Sequence, residues 1–406
     1  MFITKTLSRK KKRTHCSQTY FAFLLNGVVL VFLLLNIWFF QKSGTSMQER
    51  ESRFLFSQQQ QCNTDDSWEY SRTMPMWMKY YIFWHRKQLE EINESNWNVR
   101  QYYVLHCLVK EPIACGGASD RLQQVPYVLR HAYNSNRIFF IKWEKPGSLE
   151  EFLEPPDLGL DWRLPKWLDD KLPWNEIHQS GGILSGKVGP AGGMTHGGDE
   201  YDAVKDPRDA PYHIMFRDAW LACFRPVQRI QRIINGTLRQ LQLVPGAYIG
   251  VHIRAKYLDD LSKETELIHN AVSCAGQLRP GKIIFVSSDS NRVLTEATSF
   301  HGLQHESLHS TNSVVKTRMN VSEPKHLDNG DNFFCTSCTS VSAAADYYDT
   351  FVDLYLLALS SCVVAGRGGY GVWASRMSRN SSCLVFHSEQ DPGSNNPYFS
   401  EAVRCY

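Results

Sequence analysis

The body of this chain has no net positive charge. The formal net charge is +3, yet residues 1–19 alone carry Lys5, Arg9, Lys10, Lys11, Lys12 and Arg13 with no acidic residue. Without those six charges the remainder sums to about −3, which excludes a basic, nucleic-acid-binding body. Collagen-like repetition is missing too. With 43% hydrophobic and 21% charged residues the composition is that of a folded protein, and 406 residues leave room for two domains of ordinary size. Cys335-Thr-Ser-Cys338 has no second CxxC beside it, so structural disulfides are the better reading of that pair. Gly181 to Lys187 fits G-x-x-x-x-G-K, but Val188 stands where the Mg2+-binding Ser or Thr of a P-loop belongs. No convincing strand precedes it, since Trp167 to Gln179 is largely polar and broken by Pro173. A mobile loop closing over an acceptor is expected there instead.

No charge interrupts Tyr20 to Phe40, and only Asn26 and Asn36 are strongly polar. The run has the roughly 20 residues needed to cross a bilayer. Tyr20 and Phe21 mark one end, Trp38, Phe39 and Phe40 the other, as in an aromatic belt. A cleaved signal peptide would have a core of about 7–15 residues followed by small residues, which Trp38-Phe39-Phe40 does not supply. The expectation is a single-pass anchor over 20–40, with the 1–19 tail in the cytosol and residues 41–406 in the lumen. Ten cysteines follow the anchor (Cys62, Cys107, Cys115, Cys223, Cys274, Cys335, Cys338, Cys362, Cys383 and Cys405), an even number suited to disulfides in an oxidising lumen. Sequons begin at Asn93, Asn235, Asn320 and Asn380. Polar residues 41–65, with Gln58-Gln59-Gln60-Gln61, read as a stem.

Beyond the stem, Trp77 to Ile92 has helical spacing. Tyr102 to Val109 and Arg137 to Trp143 read as strands, separated by Cys115-Gly116-Gly117-Ala118-Ser119-Asp120-Arg121-Leu122 and an amphipathic run through Val125, Val128, Leu129 and Ala132. That order predicts a βαβ unit and a parallel sheet. Its glycines suit either a close backbone approach to an anion at the helix N-terminus or a plain αL turn. Met215 to Leu243 reads as mostly helical. Lys282 to Asp289 reads as a buried strand, with Asp289 or Ser290 placed to cap the helix 291–298. Phe351 to Leu359 is apolar all round, a buried helix in which Asp353 must find hydrogen-bond donors. Cys362 to Ala365 reads as a strand leading into Gly366-Arg367-Gly368-Gly369-Tyr370-Gly371 and a helix from Val372 to Ser378.

The chain is organised around residues 246–260. Tyr248 to Ile253 has the density of a buried strand, and the period of two puts Gly250, His252 and Arg254 on one face, Ile249, Val251 and Ile253 on the other. A guanidinium at a buried strand's carboxyl end needs an anion. Two sources are open: a phosphate-bearing ligand in the crevice beyond the sheet, or an internal carboxylate such as Asp259 or Asp260.

Taken in order, Gly-Val-His-Ile-Arg254, Phe-Val-Ser-Ser-Asp289, and Asp353-Leu-Tyr-Leu-Leu-Ala-Leu-Ser with the loop 366–371 resemble the three peptides of the GDP-fucose-dependent fucosyltransferases. That superfamily holds α1,6-, α1,2- and protein O-fucosyltransferases. The loop Gly-Gly-Ala-Ser-Asp120-Arg121-Leu122 and the strand after it resemble its glycine-rich N-terminal block. The likeness covers much of 102–143 and 215–388. It implies an α/β fold of GT-B architecture, two Rossmann-like domains facing a cleft (101–245 for the acceptor, 246–406 for the GDP-sugar) after the anchor and a 41–100 stem and lead-in helix. It also implies a Golgi type II glycosyltransferase moving L-fucose with inversion from GDP-fucose to a glycan or glycoprotein, with no metal and no cofactor. On this resemblance Arg254 binds the diphosphate with His252 beside it, and Asp353 belongs to guanine recognition. Gly116, Gly117 and Asp120 fall in the N-terminal loop, Asp289 in the second peptide, and Gly368, Gly369, Tyr370 and Gly371 around the diphosphate. The chain differs from the α1,6 enzymes in having Ala255-Lys256 after the motif arginine and Gly-Arg-Gly-Gly-Tyr for their serine-rich loop. Asp120, Asp259, Asp260 and Glu264 are the candidates for a general base. Two other readings stay open: a GT-B transferase using another nucleotide sugar, and a catalytically silent glycan-binding module.

Overall fold

Helix α1 (Met76–Glu91) and strand β1 (Tyr102–Cys107) begin the fold where the sequence expects a helix and a strand. All six residues of β1 are buried, as they are in a parallel strand covered on both faces. Helix α2 (Val125–Asn134) buries Val125, Val128, Leu129 and Ala132 and leads to β2 (Ile138–Trp143), which runs parallel to β1 from Tyr102↔Ile138 to Cys107↔Trp143. The expected strand-helix-strand unit is present. In this computed structural model the described residues are 73–108, 117, 121–144, 146–172, 174, 183–187, 205–255, 261–299, 313–318, 344–366, 368–378, 383–387 and 403–405. All belong to one of the chain's two compact units, Asp66–Tyr406; the tail, the expected anchor and most of the stem fall in the other, Met1–Asp65, outside the described residues. Among the described residues no helix is long and apolar enough to cross a membrane.

The short strand β3 (Leu153–Glu154) comes next, and after it a correction. Ile183–Lys187, expected to be loop, forms β4, parallel to β1 from Tyr102↔Ile183 to His106↔Lys187, so the first sheet has the order β2-β1-β4. The free edge of β1 offers unpaired backbone groups, and ladder bonds to it outweigh the weak β propensity of Gly186 and Lys187. With Gly186 and Lys187 in a strand, the G-x-x-x-x-G-K match lacks the strand-to-helix turn of a P-loop. Helix α3 (Tyr212–Cys223), strand β5 (Arg225–Pro226, antiparallel to β3) and helix α4 (Gln228–Gln240) fill the connection read as mostly helical. Helix α4 buries Ile230, Ile234 and Leu238, four residues apart, which makes one stripe.

The second sheet is built from β6 (Ile249–Ile253), β7 (Ile283–Ser288), β8 (Val314–Thr317), β9 (Cys362–Ala365), β10 (Leu384–Phe386) and β11 (Val403–Arg404). Every neighbouring pair is parallel, and the spatial order is β8-β7-β6-β9-β10-β11. Counted from β6 this is 3-2-1-4-5-6, the doubly wound Rossmann order. Helices α5 (Leu261–Leu278) and α6 (Asn291–Ser299) cover one face, where Ile249, Val251 and Ile253 pack with Ile268, Ala271 and Val272. On the other face, α7 (Tyr348–Ala358) lies so close that a Cβ on Gly250 would meet Leu357 and Ser360 at 3.0 Å. Helix α8 (Gly369–Met377) begins three residues earlier than expected, so Gly369, Tyr370 and Gly371 form its first turn rather than a loop.

An aromatic seam joins the two sheets' helices. Phe152 stacks on Phe351 of α7 at 4.6 Å and 15°, and Phe216 of α3 meets Trp373 of α8 at 4.6 Å. Two disulfides, Cys274–Cys405 and Cys362–Cys383, tie the last strands to α5 and β9. Cys107 is also disulfide-bonded, whereas Cys223 is a buried free thiol, so the cysteines do not pair off as evenly as their count suggests. Asn93 is exposed and Asn235 lies inside α4; Asn320 and Asn380 are outside the described residues.

Helix α1 carries a buried histidine. His85 Nε2 lies 2.9 Å from the Phe139 carbonyl and so carries the proton, and burial pulls the ring down to about 4 from its ordinary 6.5. Between those values the unfolded chain binds a proton that the folded chain refuses, so stability falls as pH is lowered through that window. Urea unfolding followed from about pH 6.5 to about pH 4 should show a falling midpoint, with a shallower fall in His85→Gln; a pH-independent midpoint would contradict this.

Candidate functional site at the ends of β6, β7 and β9

The strand order reverses between β6 and β9, since the chain moves outward from β6 to β7 and β8 and then returns to β6's other side. At such a switch point the loops leaving the two strands part, and the crevice beyond their carboxyl ends is where open α/β sheets bind ligands. Register places His252 opposite Ser287 on one side and Ala365 on the other. Arg254 therefore leaves the sheet at the crevice.

Its counter-charge comes from the next strand. Arg254 Nε lies 3.4 Å from Asp289 Oδ2, with the arginine side chain 18% exposed and the carboxylate 6%. The other oxygen of Asp289 accepts the Ala255 N–H at 2.7 Å. Of the two sources left open by the sequence, the described contact is an internal carboxylate, that of Asp289; Asp259 and Asp260 lie outside the described residues. Capping falls to Ser290, whose Oγ accepts from Val293 N–H at 3.5 Å.

The loop after β9 comes very close to β6. A Cβ on Gly366 would sit 2.6 Å from His387 Nε2, and one on Gly371 would sit 2.9 Å from Ala365 Cβ and 3.1 Å from His252 Cβ. Only hydrogen fits at either place. Gly368 has φ +89°, a conformation that L side chains rarely adopt, and acts as the N-cap of α8. His252 is buried, with its ring 4.9 Å from that of Tyr370, whose hydroxyl donates to the Thr350 carbonyl. Behind them His387 Nε2 lies 3.3 Å from the His252 carbonyl and so donates to it; burial pulls this imidazole down to about 4 and keeps it neutral. Thus the first turn of α8, with its unpaired N–H groups, is set against the strand that ends in Arg254.

Asp353 finds its donors inside the protein. Arg318 gives it Nε at 3.0 Å and a terminal nitrogen at 2.8 Å, both onto Oδ1, while Ser287 Oγ donates to Oδ2 at 3.0 Å. The other terminal nitrogen of Arg318 reaches Asp349 at 2.6 Å. Burial pushes the Asp353 carboxyl above its ordinary range against the pull of Arg318, and the two carboxylates hold the guanidinium protonated. Two short N–H contacts onto one oxygen are the geometry of an ion pair. The sequence reading missed Arg318, although its signal matches that of Arg254: an arginine directly after a short β-branched run, Val314-Val315-Lys316-Thr317.

Of the remaining expected site residues, Gly117 is a coil residue whose carbonyl accepts Arg121 N–H at 3.2 Å, and Gly116 and Asp120 lie outside the described residues. Glu264, one candidate base, is buried in an ion pair with Arg292. Among the described residues no group of His, Cys, Asp and Glu could hold a metal ion. His305-Glu306-Ser307-Leu308-His309 has the spacing of a helical zinc motif and lies outside the described residues.

No protein-family model and no curated protein matches the chain. Solved structures do. A mutant of Arabidopsis thaliana FUT1 in complex with GDP is 14% identical, covering 78% of each chain with a TM-score of 0.48. NodZ α-1,6-fucosyltransferase from Bradyrhizobium, soaked with GDP-fucose, is 14% identical over 69% of this chain and 93% of its own, with a TM-score of 0.43. POFUT1 in complex with GDP is 11% identical over 71% of this chain and 99% of its own, with a TM-score of 0.38. The chain is similar to these fucosyltransferases.

Removing one partner of a buried pair strands the other charge, at a cost of about 3–5 kcal/mol. Arg318→Ala should therefore lose about that much in chemical denaturation, and Arg318→Met with Asp353→Leu should recover most of it. Equal stability of Arg318→Ala and the unaltered chain would refute the ion pair.

Proposed function

We propose that the protein is a GT-B glycosyltransferase that transfers L-fucose from GDP-fucose to a glycan or glycoprotein hydroxyl with inversion. One observation carries the reading: Arg254 stands at the switch point of a Rossmann-ordered sheet, two residues beyond the His252 against which the glycine-bounded first turn of α8 packs. Strand-end guanidinium and helix N-terminus both attract a diphosphate. The choice of GDP-fucose rests on the sequence blocks around Arg254, Asp289 and Asp353.

Breaking the fucose–phosphate bond builds negative charge on the departing GDP and positive charge on the sugar ring. In this reading Arg254 stabilises the leaving diphosphate, and Asp289 is a positioning residue that holds the guanidinium by its Nε edge. His252 and Tyr370 form the wall next to it, Gly368, Gly369 and Gly371 let the α8 backbone approach the phosphates, and Gly116, Gly117 and Asp120 are assigned to donor binding by the sequence resemblance alone. Asp353, with Arg318, shapes the end of the crevice used by the base. The acceptor oxygen attacks the anomeric carbon from the face opposite the diphosphate as the carbon–oxygen bond to GDP breaks, and the hydroxyl proton passes to a carboxylate base, for which the sequence offers Asp120, Asp259, Asp260 and Glu264. We place residues 41–406 in the Golgi lumen as a type II protein anchored by 20–40, a reading supported by the charge-free run and the disulfides.

A second reading is favoured by the Arg254–Asp289 pair itself: an arginine with an internal partner suits a silent module that kept the fold. Titration separates the two. Millimolar GDP should raise the melting temperature, and free GDP should appear with GDP-fucose but not with other nucleotide sugars, in EDTA as without it. Arg254→Lys, which keeps a positive charge beside the buried Asp289 carboxylate, should lose about 10²–10³ in turnover with the smaller change in melting, whereas Arg254→Ala also strands that carboxylate and should lower the melting temperature as well. Absence of any GDP-induced stabilisation would favour the silent module.

A further inference from the structure

A second concave site shares no residue with the crevice. It is a groove of about 480 Å³, a volume typical of small-ligand sites, where Arg86, Leu89 and Glu90 of α1 face the turn that follows β3. That turn is rigid. Gly159 N–H donates to the Pro156 carbonyl at 2.9 Å and Leu160 N–H to the Ala222 carbonyl at 2.8 Å, and a Cβ on Gly159 would lie 2.4 Å from the Ala222 oxygen.

Each guanidinium of the groove is met within it. Arg163 grips Asp161 through two nitrogens at 2.8 and 2.7 Å, Arg225 reaches Glu154 at 2.9 Å and Asp157 at 2.8 Å, and Arg86 donates to the Leu158 carbonyl at 3.1 Å. With Glu90, which makes no ion pair among the described residues, four carboxylates stand against three guanidiniums. No positive excess remains to hold phosphate or sulfate. A carboxylate clamped on one side keeps lone pairs elsewhere, so the groove presents fixed acceptors to hydroxyl donors. Two exposed rings extend the same side of α1: Phe83, 59% exposed, lies three residues before Arg86 and seven before Glu90, and Tyr80 is 64% exposed three residues earlier. A sugar has both complements, hydroxyls around its rim and apolar C–H groups on its faces.

We propose that this groove binds a neutral oligosaccharide, its hydroxyls on the Glu154, Asp157, Asp161 and Glu90 carboxylates and a sugar face on Phe83. The site stands on its own geometry and needs no donor chemistry; in a glycosyltransferase it would hold an arm of the glycan remote from the reacting hydroxyl. The full chain in detergent is titrated with short neutral oligosaccharides of N-acetylglucosamine, mannose, galactose and xylose, and with a heparin tetrasaccharide and inorganic phosphate as anionic controls. Binding is read by saturation-transfer NMR and calorimetry. At least one neutral oligosaccharide should bind and the anions should not, and Phe83→Ser with Glu90→Gln and Asp157→Asn, all exposed, should weaken it tenfold or more with melting temperature unchanged. No neutral binder, affinity unchanged in that variant, or a variant-sensitive anion would each overturn the proposal. GDP-induced stabilisation, measured on the same samples, reports separately on the donor site: its presence with no glycan binding sinks this inference alone, and its absence with glycan binding sinks only the donor reading.

Discussion

A guanidinium at the end of a buried strand cannot stay there without negative charge, and Asp289 meeting Arg254 across the β6–β7 boundary satisfies that constraint. The same carboxylate takes the Ala255 N–H, so one residue sets both the direction of the arginine and the course of the backbone beyond β6. Everything proposed for the crevice follows from that placement. The ladder between the two strands ends at Ile253↔Ser288, and the Arg254–Asp289 contact carries their association one step beyond it. The close glycine contacts of Gly366 and Gly371 complete the arrangement on the β9 side by letting α8 press against His252.

A second charge system sits one strand further out. Arg318, Asp349, Asp353 and Ser287 connect the ends of β7 and β8 to α7, the helix whose Phe351 meets Phe152 from the first sheet. Burying such a cluster brings little net stability, because desolvation offsets most of the Coulombic attraction. Its effect is positional. Helix α7 is apolar on nearly every side and could rotate among several similar packings, but only one orientation brings Asp353 to both Arg318 and Ser287.

Much of this was legible in the chain. Alternation in Ile249-Gly-Val-His-Ile-Arg254 assigned each residue to a face, and the faces are as read: the aliphatic set packs on α5, while Gly250 and His252 meet α7 and α8. Asp353 inside an apolar helix demanded donors, and they are there. What sequence could not give was the partner. Asp289 is 35 residues from Arg254 and reads locally as a helix cap, while Arg318 lies 35 residues before Asp353, in a segment too short to show a period. Strand β4 escaped for another reason: Ser185, Gly186 and Lys187 have no intrinsic leaning toward extended structure, and the neighbour that recruits them, β1, lies some 80 residues away. Helix α8 starts early because glycines, read as loop, are required there by close packing.

The free thiol of Cys223 closes helix α3 and is fully enclosed, with burial holding it in the unreactive protonated form. Around it are Trp162, whose indole donates to the Cys223 carbonyl at 2.6 Å, and the rings of Trp220 and Phe224. A maleimide reaching that sulfur must wait for this interior to come apart, so the rate of its capture measures how often the molecule breathes open under conditions where nearly every copy is native.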